Sequence, residues 1–582
     1  MLGEFDVSDS TLFGSCVGTV TAVIECKGHP LSKGTQVGGR TERERRPSVR
    51  RWAKAAVVAT VVALGGSLAG ATPVSASLNE TVIVTGVAGI NIVNSVVAVG
   101  GSVLQGFPLI NGVEASLPVL LLPALEAVPG ITVTPDLTVS VQSTTESTGP
   151  HSPSDAFLAQ TGATTVARGG DTGQGVTVAV LDTGIDNLPD FGGRLIGGVD
   201  LTGAGNPFQD SYGHGTFVAG LIAGNGASSQ GQFSGEAPGA DLVAIKAAGA
   251  TGTTDIATVI EGVQWAIANR ARYHIGVLNM SLGFQPTTSS VLNPLDMAVE
   301  MAWNSGIAVV TAAGNAGPFN GTILSPGDDP LVITVGSLDD LAQSSVAADE
   351  MTNFSSVGPT TPDGWVKPDL VTSGRSVVSV AAPGSTVYDN NPSARIGTGN
   401  FVGSGTSFSA AITSGAAALL LAQDASLTPN MLKARLLATT NPGPVGNPFV
   451  DGHGALDVAA AVQSAPVNLN QSTLGVAAAK LAGTVSLSPT GTTDTWNPDL
   501  WTGLVSSGSA LSGHAWSGSA WSGSAWNGFT WTGHAWSGSA WSGSAWSGHA
   551  WSGSAWSGHA WSGSAWSGSA WSGSAWSGSA WS

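Results

Sequence analysis

Four short strings in this 582-residue chain carry side chains suited to acyl transfer. VAVLDTGID holds Asp182, GHGTFVAG holds His214, GTSFSA holds Ser407, and AAGN ends at Asn315. A serine hydroxyl is a weak nucleophile near neutral pH. It becomes an acylating group when an imidazole takes its proton and a carboxylate orients that imidazole and stabilises its cation. Asp182, His214 and Ser407 supply this set. Asn315 adds a side-chain amide donor of the kind that holds the oxyanion of a tetrahedral intermediate.

Residues so far apart need a framework to bring them together. The runs 176–181, 242–246, 275–280, 307–312 and 331–336 are apolar throughout, as strands buried on both faces should be. Between them, Ile256, Val259, Ile260, Val263 and Ile267 repeat at helical spacing within 255–269. Thr428-Pro429 is a cap and first-turn pair that opens another helix, and 451–462 reads as the closing one. The pattern predicts an α/β domain over 171–462, doubly wound around a mostly parallel sheet. In such folds sites lie beyond the carboxyl ends of the strands. Asp182 directly follows the first run, and Asn315 closely follows the fourth. Ser407 opens the helical run SFSAAITSGAAALLLA, where free N–H groups and the helix dipole favour negative charge. Gly213 and Gly215 flank His214 at the start of a small-residue helix.

The four strings, in the order Asp, His, Ser, resemble those of subtilisin-like (S8-type) serine endopeptidases, and the resemblance covers roughly 78–462. It implies a protease acting on proteins or peptides through an acyl-enzyme. By the same resemblance, Ser281, Leu282 and Gly283 look like the strand that pairs with substrate on one side of the S1 pocket. Ala312, Ala313 and Gly314 look like the other side, with Ser325-Pro326 near the floor. Walls of such small residues predict a bulky apolar P1 residue. Phe217 stands where smaller or polar residues are common and is expected to narrow the cleft beside His214. No cofactor is required for the chemistry. Structural calcium is an expectation from the family, with Asp328, Asp329, Asp339 and Asp340 as candidate carboxylates and no ligand set assigned.

Residues 77–142 read as a small α+β unit. LNETVIVTG is a strand. The stretch 113–130 is a helix with Leu117 and Leu120–Leu122 on its apolar face and a stop at Pro129-Gly130, and 131–142 is a closing strand. This resembles the inhibitor-like propeptide of the same proteases, from Ile110-Asn111-Gly112 to Thr134-Pro135-Asp136, which would make the chain a self-processing zymogen inhibited by its own propeptide. The polar stretch 143–170 reads as a linker and processing region.

The remaining segments bear on location. Arg50, Arg51 and Lys54 precede an apolar run from Ala55 to about Leu68, and Val74-Ser75-Ala76 is a small-x-small cleavage motif, so 48–76 reads as a secretory signal. Residues 1–47 then fall outside the translated protein, with Val49 marking its start. Both cysteines, Cys16 and Cys26, precede the signal, which leaves the secreted product without a thiol. A net charge of −18 argues against nucleic acid as a partner. After a second linker, 463–500, the segment 501–582 is a low-complexity Trp-Ser-Gly tail, with a tryptophan at every fifth residue from Trp516 to Trp581. Tryptophan faces stack on sugars and on one another. The alternative reading is therefore a cell-surface or wall-binding protein in which the repeat is the functional part, holding cell-wall polysaccharide or self-associating.

Overall fold

A computed structural model describes residues 79–141 apart from Ala88, residues 153–464, and the backbone of short stretches between Gly513 and Ala560. The signal-like segment and both cysteines lie outside the described residues.

The N-terminal module is an antiparallel sheet of β1 (Asn79–Gly86), β2 (Ser102–Phe107), β3 (Gly112–Pro118) and β4 (Ile131–Pro135), in the order β2-β3-β1-β4. Val82 sits opposite Ala115 and Val84 opposite Val113. Alternate residues of each strand therefore face one side, where they bury against α1 (Ile92–Ala98) and α2 (Leu122–Glu126). The expected helix over 113–130 is mostly not one. Its front half is β3, whose alternating Val113, Ala115 and Leu117 bury, and only α2 is helical. Leu120, expected on the apolar face, is 91% exposed. The expected closing strand is two strands. β4 stays in the module, and β5 (Thr138–Val141) leaves it.

The larger domain is built on a sheet ordered β14-β13-β12-β10-β6-β8-β7, with β15 also paired to β13. The strands are β6 (Thr177–Asp182), β7 (Leu195–Asp200), β8 (Asp241–Lys246), β10 (Ile275–Met280), β12 (Ala308–Ala312), β13 (Ile333–Asp339), β14 (Glu350–Met351) and β15 (Leu370–Ser373). All pairings are parallel except β13 with β14. Every residue of β6, β12 and β13 is buried, as expected when helices cover both faces. Two short strands, β9 (Thr253–Asp255) and β11 (Leu282–Gly283), stand apart from this sheet and flank β5.

The helices of six or more residues in the larger domain are α3 (Ala163–Arg168), α4 (His214–Ala223), α5 (Ile256–Tyr273), α6 (Pro294–Asn304), α7 (Thr406–Gln423), α8 (Pro429–Ala438) and α9 (Val458–Gln463). The Asp255 side chain caps α5 by accepting from Thr258 N at 2.8 Å, and the helix runs past the expected end to Tyr273. Of the expected closing helix over 451–462, only α9 forms. Ala455 instead makes backbone bridges to Val371 and Asn441. The packed domain also begins earlier than composition suggested. Phe157, Ala163 and Val166, assigned to the linker, belong to its core.

One buried charge cluster ties strands to a helix. Asp369 of the segment entering β15 accepts from Lys367 at 2.6 Å, Lys433 of α8 at 3.0 Å and Thr334 N at 2.8 Å. Lys433 also donates to the carbonyls of Pro330, Leu331 and Val332. Burial pulls the Lys433 ammonium down to about 7 against the opposing pull of Asp369. Removing one member of such a cluster leaves a buried charge and typically costs about 3–5 kcal/mol.

Short strands between Gly513 and Ala560 pair in parallel, with Gly513 opposite Gly523 and Gly533 opposite Gly553, so that the pentads align two or four repeats apart.

Glu236 has no such compensation. It is 1% exposed and lies beside Gly415 of α7, its backbone N–H bound to the Leu221 carbonyl of α4. Burial pushes its carboxyl up to about 8, with the Thr161 hydroxyl pulling the other way. A carboxyl raised above its unfolded value of 4.5 holds extra protons in the native state between those two pH values, so stability falls as pH rises through that window. In an inactive Ser407→Ala background, Glu236→Val should raise Tm more at pH 9 than at pH 5. The difference between the two pH values should be roughly 3–5 kcal/mol by the value of one pKa unit, as read by thermal denaturation across pH.

Candidate active site

Asp182 is the last residue of β6 and His214 the first of α4. The imidazole Nδ1 lies 2.8 and 2.9 Å from the two oxygens of Asp182. Both residues are buried, at 0% and 2% exposure, so the contact is shielded from water. Thr183 N donates to the same carboxylate at 2.8 Å. A carboxylate on Nδ1 directs Nε2 toward the work of a base, and Nε2 has no hydrogen-bond partner. Glycine is required on both sides of the histidine. Gly213 has φ +102°, and a Cβ on Gly215 would collide with the Gly184 carbonyl.

Sequence reasoning missed Asp210. Its Oδ1 accepts from Gly213 N at 2.7 Å and Thr183 Oγ1 at 2.7 Å, and its Oδ2 accepts from Thr216 N at 2.8 Å. Thr183 Oγ1 in turn accepts from Gly215 N at 2.9 Å. Gly213 itself has no side chain to cap α4, so a carboxylate from the preceding loop satisfies the N–H groups that a helix start leaves open. Burial raises the Asp210 pKa while the bonds from Gly213, Thr216 and Thr183 lower it, leaving a net rise. An aspartate four residues before the histidine, ahead of a cap-less Gly-His-Gly-Thr start, was the available signal.

Ser407 lies in the first turn of α7, and its Oγ donates to the Ser281 carbonyl at 3.0 Å. Ser281 Oγ donates back to the Ser407 carbonyl at 2.9 Å. The Phe408 ring lies 5.6 Å from the imidazole and 4.5 Å from Phe217. Phe217 is thus buried between α4 and α7, and the expected narrowing of the cleft is replaced by a helix–helix contact. Asn315 Oδ1 accepts from Thr406 N and Thr406 Oγ1, both at 2.9 Å. With its oxygen fixed, the amide can be oriented only one way, and its buried Nδ2 has no partner.

Of the residues expected to line the substrate, Leu282 and Gly283 form β11 directly after Ser281, and Ala312 ends β12 just before Ala313 and Gly314. Leu324 N donates to the Ala313 carbonyl at 3.0 Å, and its side chain fills the space between the glycines. A Cβ on Gly314 would meet Leu324 Cγ at 2.7 Å, and one on Gly283 would meet Leu324 Cβ at 3.0 Å. Leu324 is thus a bulky side chain packed against both small-residue segments. Ser325 is turned behind the floor, donating to Asp296 at 3.0 Å and accepting from Asn293 at 2.9 Å. No group of three metal-ligating side chains occurs among the described residues. Asp339 and Asp340 instead accept from the backbone of Leu341 and Ala342.

Residues 173–454 match the model of the subtilase family, Peptidase_S8. Serine protease AprX of Bacillus subtilis (strain 168) is 42% identical over 299 residues, covering 50% of this chain and 67% of that protein. The chain belongs to the subtilase family. Subtilisin NAT of Bacillus subtilis subsp. natto is 36% identical over 298 residues, with the same shares of 50% and 67%. Fervidolysin of Fervidobacterium pennivorans, described as a keratinolytic enzyme related to subtilisin, shares the fold at a TM-score of 0.53 and 22% identity. The match covers 69% of this chain and 63% of that one.

In this subtilase Asp210 holds the helix start that holds the histidine. Asp210→Ala should lower kcat on the order of 10²-fold, the scale set by a small misplacement of a reacting group. KM should move little, and peptide-hydrolysis kinetics check the split.

Proposed function

We propose that this subtilase is a secreted serine endopeptidase made as a self-processing zymogen, with Ser407 as nucleophile, His214 as general base then acid, Asp182 as its orienting carboxylate and Asn315 as oxyanion donor. The observation that carries the reading is a pair of preset, unspent groups. His214 Nε2 and Asn315 Nδ2 are buried without partners, while Nδ1 and Oδ1 of the same side chains are locked.

In this mechanism the Ser407 hydroxyl leaves the Ser281 carbonyl and gives its proton to His214 Nε2 as it attacks the substrate carbonyl. Asp182 stabilises the imidazolium without itself taking the proton. The oxyanion forms beside Asn315 Nδ2 and the Ser407 N–H at the start of α7, where the helix dipole also favours it. His214 then protonates the leaving amine, and water repeats the steps to release the acyl group.

The N-terminal module is proposed as the inhibitory propeptide, supported by β5 lying against β11 at the candidate substrate wall. Secretion rests on the composition of 48–76. The alternative, a wall-binding protein carried by the tail, leaves the Asp182–His214 pair and the oriented Asn315 amide without a purpose.

Ser407→Ala should abolish both peptide hydrolysis and labelling by a fluorophosphonate probe. Asn315→Ala should lower kcat about 10²–10³-fold with a small change in KM, because its donor acts on the transition state. A pure KM effect would mean that it positions substrate instead. Leu324→Gly should deepen the pocket and raise the kcat/KM ratio of a Phe over an Ala P1 substrate by at least about 10-fold, measured on paired peptides.

A further inference from the structure

The Trp-Ser-Gly repeat contributes no residue to the proposed catalysis, but the pairing of its described strands follows a rule. Each strand lies in a Gly-Ser-Ala or Gly-His-Ala triplet, and the sequence places a tryptophan directly after every one of these triplets. Gly513 pairs with Gly523, and Ser544 with Ser554, ten residues on. Ala525 pairs with Ala545, and Gly533 with Gly553, twenty residues on. All of these pairs are parallel. The triplet 533–535 meets three others, through Ala515, Ala545 and Gly553. Strands starting at Gly513, Gly523, Gly533 and Gly553 share one sheet, and those starting at Gly538, Gly548 and Gly558 form another. Each sheet keeps the ten-residue period, so the two pentads of a period go to different sheets.

Such pairing has no single solution. Register is strongly specified where a slip moves an apolar residue off a buried face, and weakly specified in Gly-rich strands. Here a slip of ten residues again sets a triplet opposite a like triplet. Offsets of ten and of twenty both occur within one chain, and a triplet on a second chain meets the same requirement. Strand edges act as templates for another chain unless charge, proline or a cover blocks them. Residues 501–582 hold no Lys, Arg, Asp, Glu or Pro. The formal charge of −18 therefore lies wholly on the rest of the protein, and nothing in the repeat repels a second repeat. Its tryptophans add apolar surface that favours association over exposure to water.

We propose that residues 501–582 join copies of this protease, the triplets of one chain pairing in parallel with like triplets of another. On the proposed function, joined copies bring several active sites to one protein substrate, which favours substrates long enough to span them. The repeat also carries its own means of release. His514, His534, His549 and His559 are its only ionisable side chains. His549 stands opposite His559 in the pairing register. His514 stands opposite Ser524, His534 opposite Ser544, and Ser539 opposite His559. No carboxylate faces them, so protonation sets like charges across the ladder, which destabilises a strand pair.

Sedimentation velocity on the full chain carrying Ser407→Ala, beside the same chain ending at Leu500, tests the inference. At pH 8 the weight-average mass of the full chain should at least double as concentration rises, while the shortened chain keeps one mass. At about pH 5.5, below the ordinary histidine value of about 6.5, the full chain should return to the mass of the shortened one. Combining His514→Ser, His534→Ser, His549→Ser and His559→Ser gives every one of these pentads the serine that most pentads already have, and should keep the chain associated at both pH values. A full chain with 501–582 shuffled keeps the tryptophans, loses the ten-residue period and should stay monomeric. A full chain that is monomeric at pH 8, equal association without 501–582, or equal association with the shuffled segment would overturn the inference. So would a repeat that leaves the protein monomeric and carries it onto cell-wall polysaccharide instead. Association of the unaltered repeat that ignores pH would overturn the role of the histidines. None of these outcomes depends on Ser407, so the proposed catalysis stands or falls separately.

Discussion

The contact between α4 and α7 is the constraint on which the site depends. Each helix begins with a catalytic candidate, His214 on one and Ser407 on the other, and neither side chain is useful without the other's position. Phe217 and Phe408 meet at 4.5 Å between the two helices. A ring pair of this kind contributes about 0.5–1.5 kcal/mol beyond its buried area. Here it packs the helix that carries the imidazole against the helix that carries the hydroxyl. The sheet imposes the rest. Parallel strands buried on both faces leave only the strand ends for polar chemistry, and Asp182 stands at such an end.

Buried charge is handled in two ways. Asp210 and Asp369 are surrounded by donors, so each acts as a fastener. Asp210 holds the loop and first turn around His214, and Asp369 holds α8 to the sheet through Lys433. Glu236, in contrast, is buried between the same two catalytic helices with little to stabilise its ionised form. It is tolerated because it can stay protonated, and that ties the packing of α4 on α7 to pH.

Two short strands, β9 and β11, stand outside the main sheet. Unpaired edges invite an added strand, and β5 supplies it, with Thr138 opposite Asp255 and Val141 opposite Leu282. The N-terminal module is joined to the larger domain through backbone pairing as well as through the buried Val139.

Asp182, His214, Ser407 and Asn315 were legible in the sequence because each sits in a local string whose glycines and apolar runs announce a strand end or helix start. The buried parallel strands were legible for the same reason, since continuous apolar runs need no knowledge of partners. Other features depended on residues far apart in the chain. The stretch 113–118 looked helical, but its alternation only has meaning beside β1, where Val82 and Val84 complete the face. Leu324 read as an ordinary apolar residue until the fold placed it between Gly283 and Gly314. Asp210 carried only a positional signal in sequence, four residues before the histidine, and its role exists because Thr183 and the start of α4 converge on it. The sequence by itself determined which chemistry the chain carries. Tertiary structure decided the seat of Leu324, the fastening of the histidine and the register of β5, because each is a contact between segments that only folding brings together.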